Sequence, residues 1–366
     1  MQFEIEREAL LRPLQSVIGV VERRQTLPVL ANLLLVADES GLALTATDLE
    51  VELQARVAVE VAETGQITLP ARKLMDIVRN LPEGCTIRMQ VDQDRVVVRA
   101  ARSRFSLATL PAGDFPTVAE IGAADEVQLP QSQLRWLIEK THFSMALQDV
   151  RYYLNGLLLE LEPRRLRAVA TDGHRLALAE LAPELELENP TQVIVPRKGV
   201  QEMLRLLDHS DTPVSVSLGA GHIRAELPEL RFTSKLIDGR FPDYQRVIPA
   251  EEGPHAEVDR EALRQALVRA SILSNEKYRG VRFLFESERL RIQSNNPEQE
   301  EAEEEVAATY DGEPVEIGFN ASYMLDALGA VDEPSVHIYV RDANSSALVF
   351  GAESSDSRYV VMPMRL

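Results

Sequence analysis

The chain has 366 residues, 45% of them hydrophobic and 27% charged, and its 58 Asp and Glu outweigh 39 Lys and Arg to give a formal charge of −19. That length exceeds what a single hydrophobic core usually serves, so two or three domains are expected. So acidic a balance excludes a protein that coats nucleic acid with its whole surface, and leaves a local basic stripe as the route to phosphate.

In chain order, the N-terminus MQFEIEREAL is charged from its fourth residue and lacks the apolar stretch of a signal peptide. EREALLRPLQSVIGVV then places Leu10, Leu14, Val17 and Ile18 at helical spacing, with Pro13 arguing against an uninterrupted helix. Alternation follows in LALTATDLEVEL at 42–53 and in Val51, Leu53, Ala55, Val57 and Val59, the mark of half-buried strands. Leu74, Ile77, Val78 and Leu81 predict a second helix, and Phe105, Leu107 and Thr109 a further strand. The same order recurs as a helix in PQSQLRWLIEKTHFSMA, strands around a turn in RLRAVATDGHRLALAEL at 165–181, and a helix through Val200, Met203, Leu204 and Leu207. It recurs once more with DREALRQALVRASIL, a strand running into Asn295-Asn296, and a helix through Ala321, Met324, Leu325 and Leu328.

The recurrence has a fixed interval. Asp48 follows LALTAT and Asp172 follows LRAVAT, so 172 − 48 = 124, and a further 124 leads to Asn296 after LRIQSN. Leu33-Leu34-Leu35, Leu157-Leu158-Leu159 and Val281-Arg282-Phe283 keep the same step, close to one third of the chain, 366/3 = 122. The chain therefore reads as three tandem repeats of one α+β domain, two helices covering antiparallel sheets, over 1–125, 126–252 and 253–366.

Thr171-Asp172-Gly173-His174-Arg175 invites a catalytic reading, and a hydrolase built on Asp172 and His174 is the rival hypothesis. Its first copy, Thr47-Asp48, has no histidine, so the default role of the motif is a turn whose Asp side chain bonds its own backbone two residues on. No nucleophile accompanies the pair, and His142, His209, His222, His255 and His337 show no metal-ligand spacing. The reading calls for no catalytic residue, no metal and no cofactor. No apolar run approaches ~18 residues, so no transmembrane helix and no membrane partner are expected. Cys85 is a single cysteine, as suits a reducing cytosol.

Six stretches together carry a resemblance: TDGHRLA at 171–177, VIVPRKG at 193–199, FTSKLIDGRFPDY at 232–244, ILSNEKYRG at 272–280, NNPEQEEAEEE at 295–305 and YVVMPMRL at 359–366. In these, and over its whole length, the chain resembles the bacterial β sliding clamps, processivity subunits of the replicative DNA polymerase III. The resemblance implies a non-enzymatic, cytoplasmic, head-to-tail homodimer, a ring of six similar domains around double-stranded DNA of any sequence. It implies as partners the DNA polymerase III core and other DNA polymerases, the clamp loader, and mismatch-repair and other proteins bearing a clamp-binding motif. A topological ring needs only a weakly favourable inner surface, which reconciles DNA with the acidic total.

Direct DNA contacts are implied at Arg24, Arg72, Gln148, Tyr152 and Tyr153, although Arg23 and Arg24 adjoin and either could be the first. Recurrence of Pro-Ala-Arg-Lys at 70–73 and Pro-Arg-Lys at 196–198 adds Arg197 and Lys198, whereas the matching Asn320-Ala321-Ser322 carries no charge. Other basic residues concentrate on the predicted helices, among them Arg7, Arg12, Lys73, Arg79, Lys140, Arg205, Arg260 and Arg269, and are expected to face DNA. A partner-peptide pocket is implied at Leu154, Thr171, Gly173, His174, Arg175, Leu176, Pro242, Arg246, Val247, Val360, Val361, Met362, Pro363 and Met364, with methionines suited to repacking around different partners. Ring closure is expected where Arg102 and Arg104 beside Phe105 and Leu107 meet the run EQEEAEEE, with Glu300 and Glu304, and where Ile272 and Leu273 supply apolar contact.

Overall fold

A computed structural model describes the chain apart from residues 22–26, 119–124, 188, 220 and 366. Among the described residues are six α-helices: α1 (Arg7–Val17), α2 (Ala71–Asn80), α3 (Gln131–Thr141), α4 (Arg197–Leu206), α5 (Arg260–Ser271) and α6 (Ala321–Ala330). The expected three pairs are all present. Helix α1 runs through Pro13 because Leu10, Leu14 and Val17 anchor it in the core on both sides of the proline, and it tightens into a 3-10 turn at Ile18–Val20.

The chain forms two compact units, Met1–Ser132 with Lys198–Leu236, and Gln133–Arg197 with Ile237–Leu366. In the first, a five-stranded sheet ends at Ser103–Ala108, and an eight-stranded sheet runs from Asp125–Pro130 to Gly65–Pro70. The second unit holds one twelve-stranded sheet from Thr191–Pro196 to Val315–Asn320. The central repeat thus contributes to both units, because strands pair across the repeat seams. Leu230–Lys235, last strand of the central repeat, adds antiparallel to Val51–Val57 of the first, from Leu230↔Ala55 to Ser234↔Val51. Ser357–Val361, last strand of the third, adds in the same way to Arg175–Leu181 of the central repeat, from Arg175↔Val361 to Ala179↔Ser357. The final strand of each repeat completes the sheet of the one before it.

Much of the basic charge on the helices serves this packing. Arg7 donates to the carbonyls of Val78 and Arg79 at the end of α2, at 3.0 and 2.8 Å. Lys140, 7% exposed, donates to Ala330 O at 2.6 Å and pairs with Asp332 at 2.6 Å at the end of α6. Arg205 reaches the carbonyls of Gln15 and Ser16 in α1, and Arg260 that of Leu328 at 3.4 Å. The last carbonyls of a helix lack intrahelical donors and carry partial negative charge, so a cation there is stabilising. Lys140 in particular is buried in that role, which corrects its expected exposure to DNA. The uncharged start of α6 also has a local cause: Asn320 caps the helix, its Oδ1 accepting from the N–H of Ser322 and Tyr323 at 2.9 and 3.3 Å.

Candidate binding cleft and closing edges

The repeated Thr-Asp turn is built alike in its first two copies. Asp48 Oδ1 accepts from the N–H of Glu50 and Val51 at 2.9 and 2.7 Å, and Asp172 Oδ1 from those of His174 and Arg175 at 2.9 and 3.0 Å. Thr47 and Thr171 each donate to the carbonyl four residues on, at 2.9 and 2.6 Å. In the third copy Asn296 Oδ1 accepts from Glu300 N–H at 2.9 Å, four residues on, so the loop is longer. The residue after Asp takes a left-handed backbone in both early copies, Leu49 at φ 78° and Gly173 at φ 88°. Asp172 is therefore spent on the turn and on Arg175 Nε at 3.1 Å, while the His174 side chain is exposed. Among the described residues no group of three His, Cys, Asp or Glu could hold a metal ion.

What the second copy adds is a cleft. Beside Gly173 lies a cavity of about 190 Å³ lined by Arg151, Leu154, Thr171, Gly173, Arg175, Leu176, Pro242, Asp243, Tyr244, Val247, Ser346, Val360 and Met362. Leu176 and Val360 face each other across the seam, so the cleft is a product of strand pairing between repeats. A broader basin of about 420 Å³ adjoins it, sharing Val247, Ser346 and Met362 and adding Arg246, Ile248, Tyr339, Val340 and Arg341. Val247 and Met362 are large apolar side chains left 52% and 45% exposed on the shared ridge, an arrangement that wants an apolar guest.

Its walls are held from behind. Arg175 bonds Asp172, pairs with Asp326 of α6, donates to Phe143 O at 2.7 Å and stacks 4.4 Å from the Tyr323 ring. Arg151 makes a two-pronged bond to Asp149, at 3.0 and 2.9 Å, which holds that carboxyl down at a pKa of about 2. Below Tyr244 the buried Arg167 donates to its hydroxyl at 2.7 Å and pairs with Glu180, and burial pushes the phenol up. Arg151, Asp243, Tyr244 and Ser346 were not expected from the sequence. Arg151 sits two residues from Asp149 in a local bonding pattern that spacing could have suggested.

Several expected cleft residues stand elsewhere. The Arg246 side chain is 84% exposed on the rim of the basin and pairs with Asp243 at 2.7 Å. His174 contributes its carbonyl, which receives Met362 N–H at 3.0 Å. Val361 pairs with Ala347 and Arg175, Met364 N–H bonds Gly318 O at 2.8 Å, and neither they nor Pro363 line the cavity.

Of the residues expected at DNA, Arg23 and Arg24 lie outside the described residues. Arg72 donates to Val21 O at 2.6 Å, Arg197 to Met145 O at 2.9 Å, and Lys198 pairs with Asp48. Gln148 and Tyr152 are exposed on one loop, Gln148 at φ 57°, while Tyr153 is partly buried edge-on to Tyr152 at 5.7 Å. Arg12, Arg72, Lys73 and Arg79 are the helix cations left exposed in the first unit's α1 and α2.

At the expected closing edges, Ser103–Ala108 has one neighbouring strand among the described residues, and Arg99 stands directly opposite Arg104. The side chains of Arg99, Arg102 and Arg104 make no hydrogen bond or ion pair with described residues. Strand Glu301–Tyr310 pairs with Arg289–Asn295 along its length, but on its other side only Ala308 to Tyr310 are matched. Ile272 is 73% exposed beside it, and Val268, one turn earlier, is 42% exposed.

Models of the DNA polymerase III beta subunit N-terminal, central and C-terminal domains match residues 1–119, 128–243 and 245–365. A beta sliding clamp of Pseudomonas putida is 58% identical over 100% of both chains, and one of Escherichia coli K12 is 53% identical over the same share. The chain belongs to the DNA polymerase III beta subunit family. A solved beta subunit of Pseudomonas aeruginosa, 56% identical, superposes with a TM-score of 0.98 over 100% of both chains. Another structure of that organism's sliding clamp, at a TM-score of 0.97, is bound to griselimycin. As a beta sliding clamp the chain is a DNA-replication processivity factor and not an enzyme. Among its described residues no helix is long and apolar enough to cross a membrane.

Proposed function

We propose that the clamp works as a head-to-tail homodimer closed around duplex DNA, and that repeats 1–125, 126–252 and 253–366 are its three domains. The pairing rule of the chain itself carries this reading. Each last strand of the second and third repeats completes the preceding repeat's sheet, while among the described residues Ser103–Ala108 of the first repeat and residues 301–307 of the third are paired on one side only. A second copy satisfies both, and unlike ends that meet twice close a ring. An unpaired edge also invites aggregation, so a cell protein keeps one only where it is used.

The two internal seams give the register. Gln54↔Arg231 and Leu178↔Arg358 are equivalent pairs, and the hydrogen-bonded hairpins place Glu303 and Arg104 at the same positions. Glu303 of one copy then faces Arg104 of the other, with Glu305 beyond it toward Arg102. Ile272 and Leu273, with Val268, form the apolar part. Sedimentation tests this: the I272A/L273A double variant is expected to run as a monomer, and a variant still dimeric at low concentration contradicts the assignment.

The cleft receives short apolar peptide segments of DNA polymerases, of the clamp loader and of mismatch-repair and other proteins. Two or three buried Leu or Phe anchors would each contribute roughly 1.5–3 kcal/mol, set against about 2–5 kcal/mol for ordering a flexible segment. The balance gives affinities near micromolar, weak enough for partners to exchange. Lys73, Arg79, Arg12, Gln148 and Tyr152 are exposed to meet phosphate without sequence preference, and the clamp acts in the bacterial cytoplasm.

A further inference from the structure

The acidic closing edge is partly neutralised from within. Arg269 of α5 holds Glu304 with two bonds, at 2.9 and 2.6 Å, and Arg289 pairs with Glu305 at 3.2 Å. Arg291 lies 3.8 Å from Glu303, which also accepts from Gln293 at 3.0 Å. Arg269 and Arg289 are 54% and 48% exposed and their acids Glu304 and Glu305 23% and 55%, so no fully buried acid depends on either. The opposite edge has no such compensation, because Arg99, Arg102 and Arg104 are left without carboxylates.

Resting on the dimer reading above, we propose that Arg289 and Arg269 both weaken ring closure and repel the arginines of the incoming copy. Arg289 is a built-in competitor for Glu305, which the register sets toward the partner copy's Arg102, and Arg269, on Glu304 between the facing positions, lowers the charge of the edge. Closing becomes an exchange of one guanidinium for another, and opening leaves no bare run of acids. The ring is thereby kept easy to open. Both effects share a sign: each arginine lowers the charge that the partner's edge meets and adds a like charge beside it. Exposed ion pairs are individually weak, so their work is a modest adjustment of the opening rate and not a lock.

The test is subunit exchange between two fluorescently labelled populations of the full-length protein, for wild type, R289Q, R269Q and the R269Q/R289Q double variant. The exchange half-life of the double variant is expected to lengthen by roughly threefold to tenfold at low salt. The difference should shrink above about 0.5 M salt, where the screening length falls to a few ångströms. R289Q releases only Glu286, which Arg291 still holds, and the exposed Glu305, and is expected to melt like wild type, so it reports on the proposal even if R269Q disturbs α5. An unchanged or shorter half-life in R289Q and in the double variant overturns the competition. I272A/L273A separates the two levels: it should give monomers if the dimer reading holds, and a dimeric I272A/L273A sinks that reading itself.

Discussion

Replacing Arg175 with Ala should loosen the cleft more than a change to any other residue that lines it. The side chain is 13% exposed and serves four partners: Asp172, Asp326, the Phe143 carbonyl and the Tyr323 ring. Removing one member of a buried ionic network costs about 3–5 kcal/mol. Asp326 is 44% exposed, so its share is screened and the total should be near 3 kcal/mol. For a unit of this size each kcal/mol moves the midpoint by about 2–4 °C, so the transition of the second unit should fall by roughly 6–12 °C. R175K keeps the charge but not the planar fork that reaches several acceptors, and should recover less than half of the loss. Calorimetry measures the transition, and hydrogen exchange should show faster opening at 171–176 and 321–330. A midpoint within 2 °C of wild type, with unchanged exchange in α6, would refute the view of Arg175 as the joint behind the cleft.

Gly173→Ala forces a side chain into φ 88° and sets its Cβ 2.9 Å from the Arg151 guanidinium, so it should cost about 1–2 kcal/mol and weaken an apolar partner peptide by about tenfold in a fluorescence titration. Arg197→Ala removes the donor that caps Met145 O and should cost about 1–3 kcal/mol in thermal melts, whereas a residue that only touched phosphate would leave the melt unchanged. Burial, reinforced by neighbouring His255 and opposed by Glu257, holds the His337 imidazole below its ordinary pKa. The unfolded chain therefore takes the proton first, so this contribution is present above about pH 6.5 and is lost as pH falls through the folded value. Melts between pH 7.5 and 5.5 should show that slope in wild type and a shallower one in H337Q.

The repeat, the helix pairs and the Thr-Asp turn were legible because each is local: 124-residue spacing, 3.6-residue periodicity and an Asp bonding the N–H groups two and three residues on are written along the chain. The splitting of the central repeat was not, since Leu230–Lys235 meets Val51–Val57 across more than a hundred residues. Charge alone was an incomplete guide. Lys140 read as a phosphate contact yet is buried on the Ala330 carbonyl, and Arg197 and Arg7 also bond main-chain carbonyls whose orphaned lone pairs no sequence pattern displays. The cleft was legible in part through its family motifs, but Ser346 and Asp243 enter it only through folding. Leu49 against Gly173, a difference of one side chain at one left-handed position, separates a bare turn from one that borders a cleft.

Retention on DNA tests the central claim most directly. Clamp assembled on nicked circular duplex by its loader should stay bound through gel filtration at about 0.5 M salt, where phosphate contacts are screened, and should run off once the circle is cut. Equal retention on circular and linear DNA, or loss from both at that salt, would contradict a closed ring and point to ordinary surface binding.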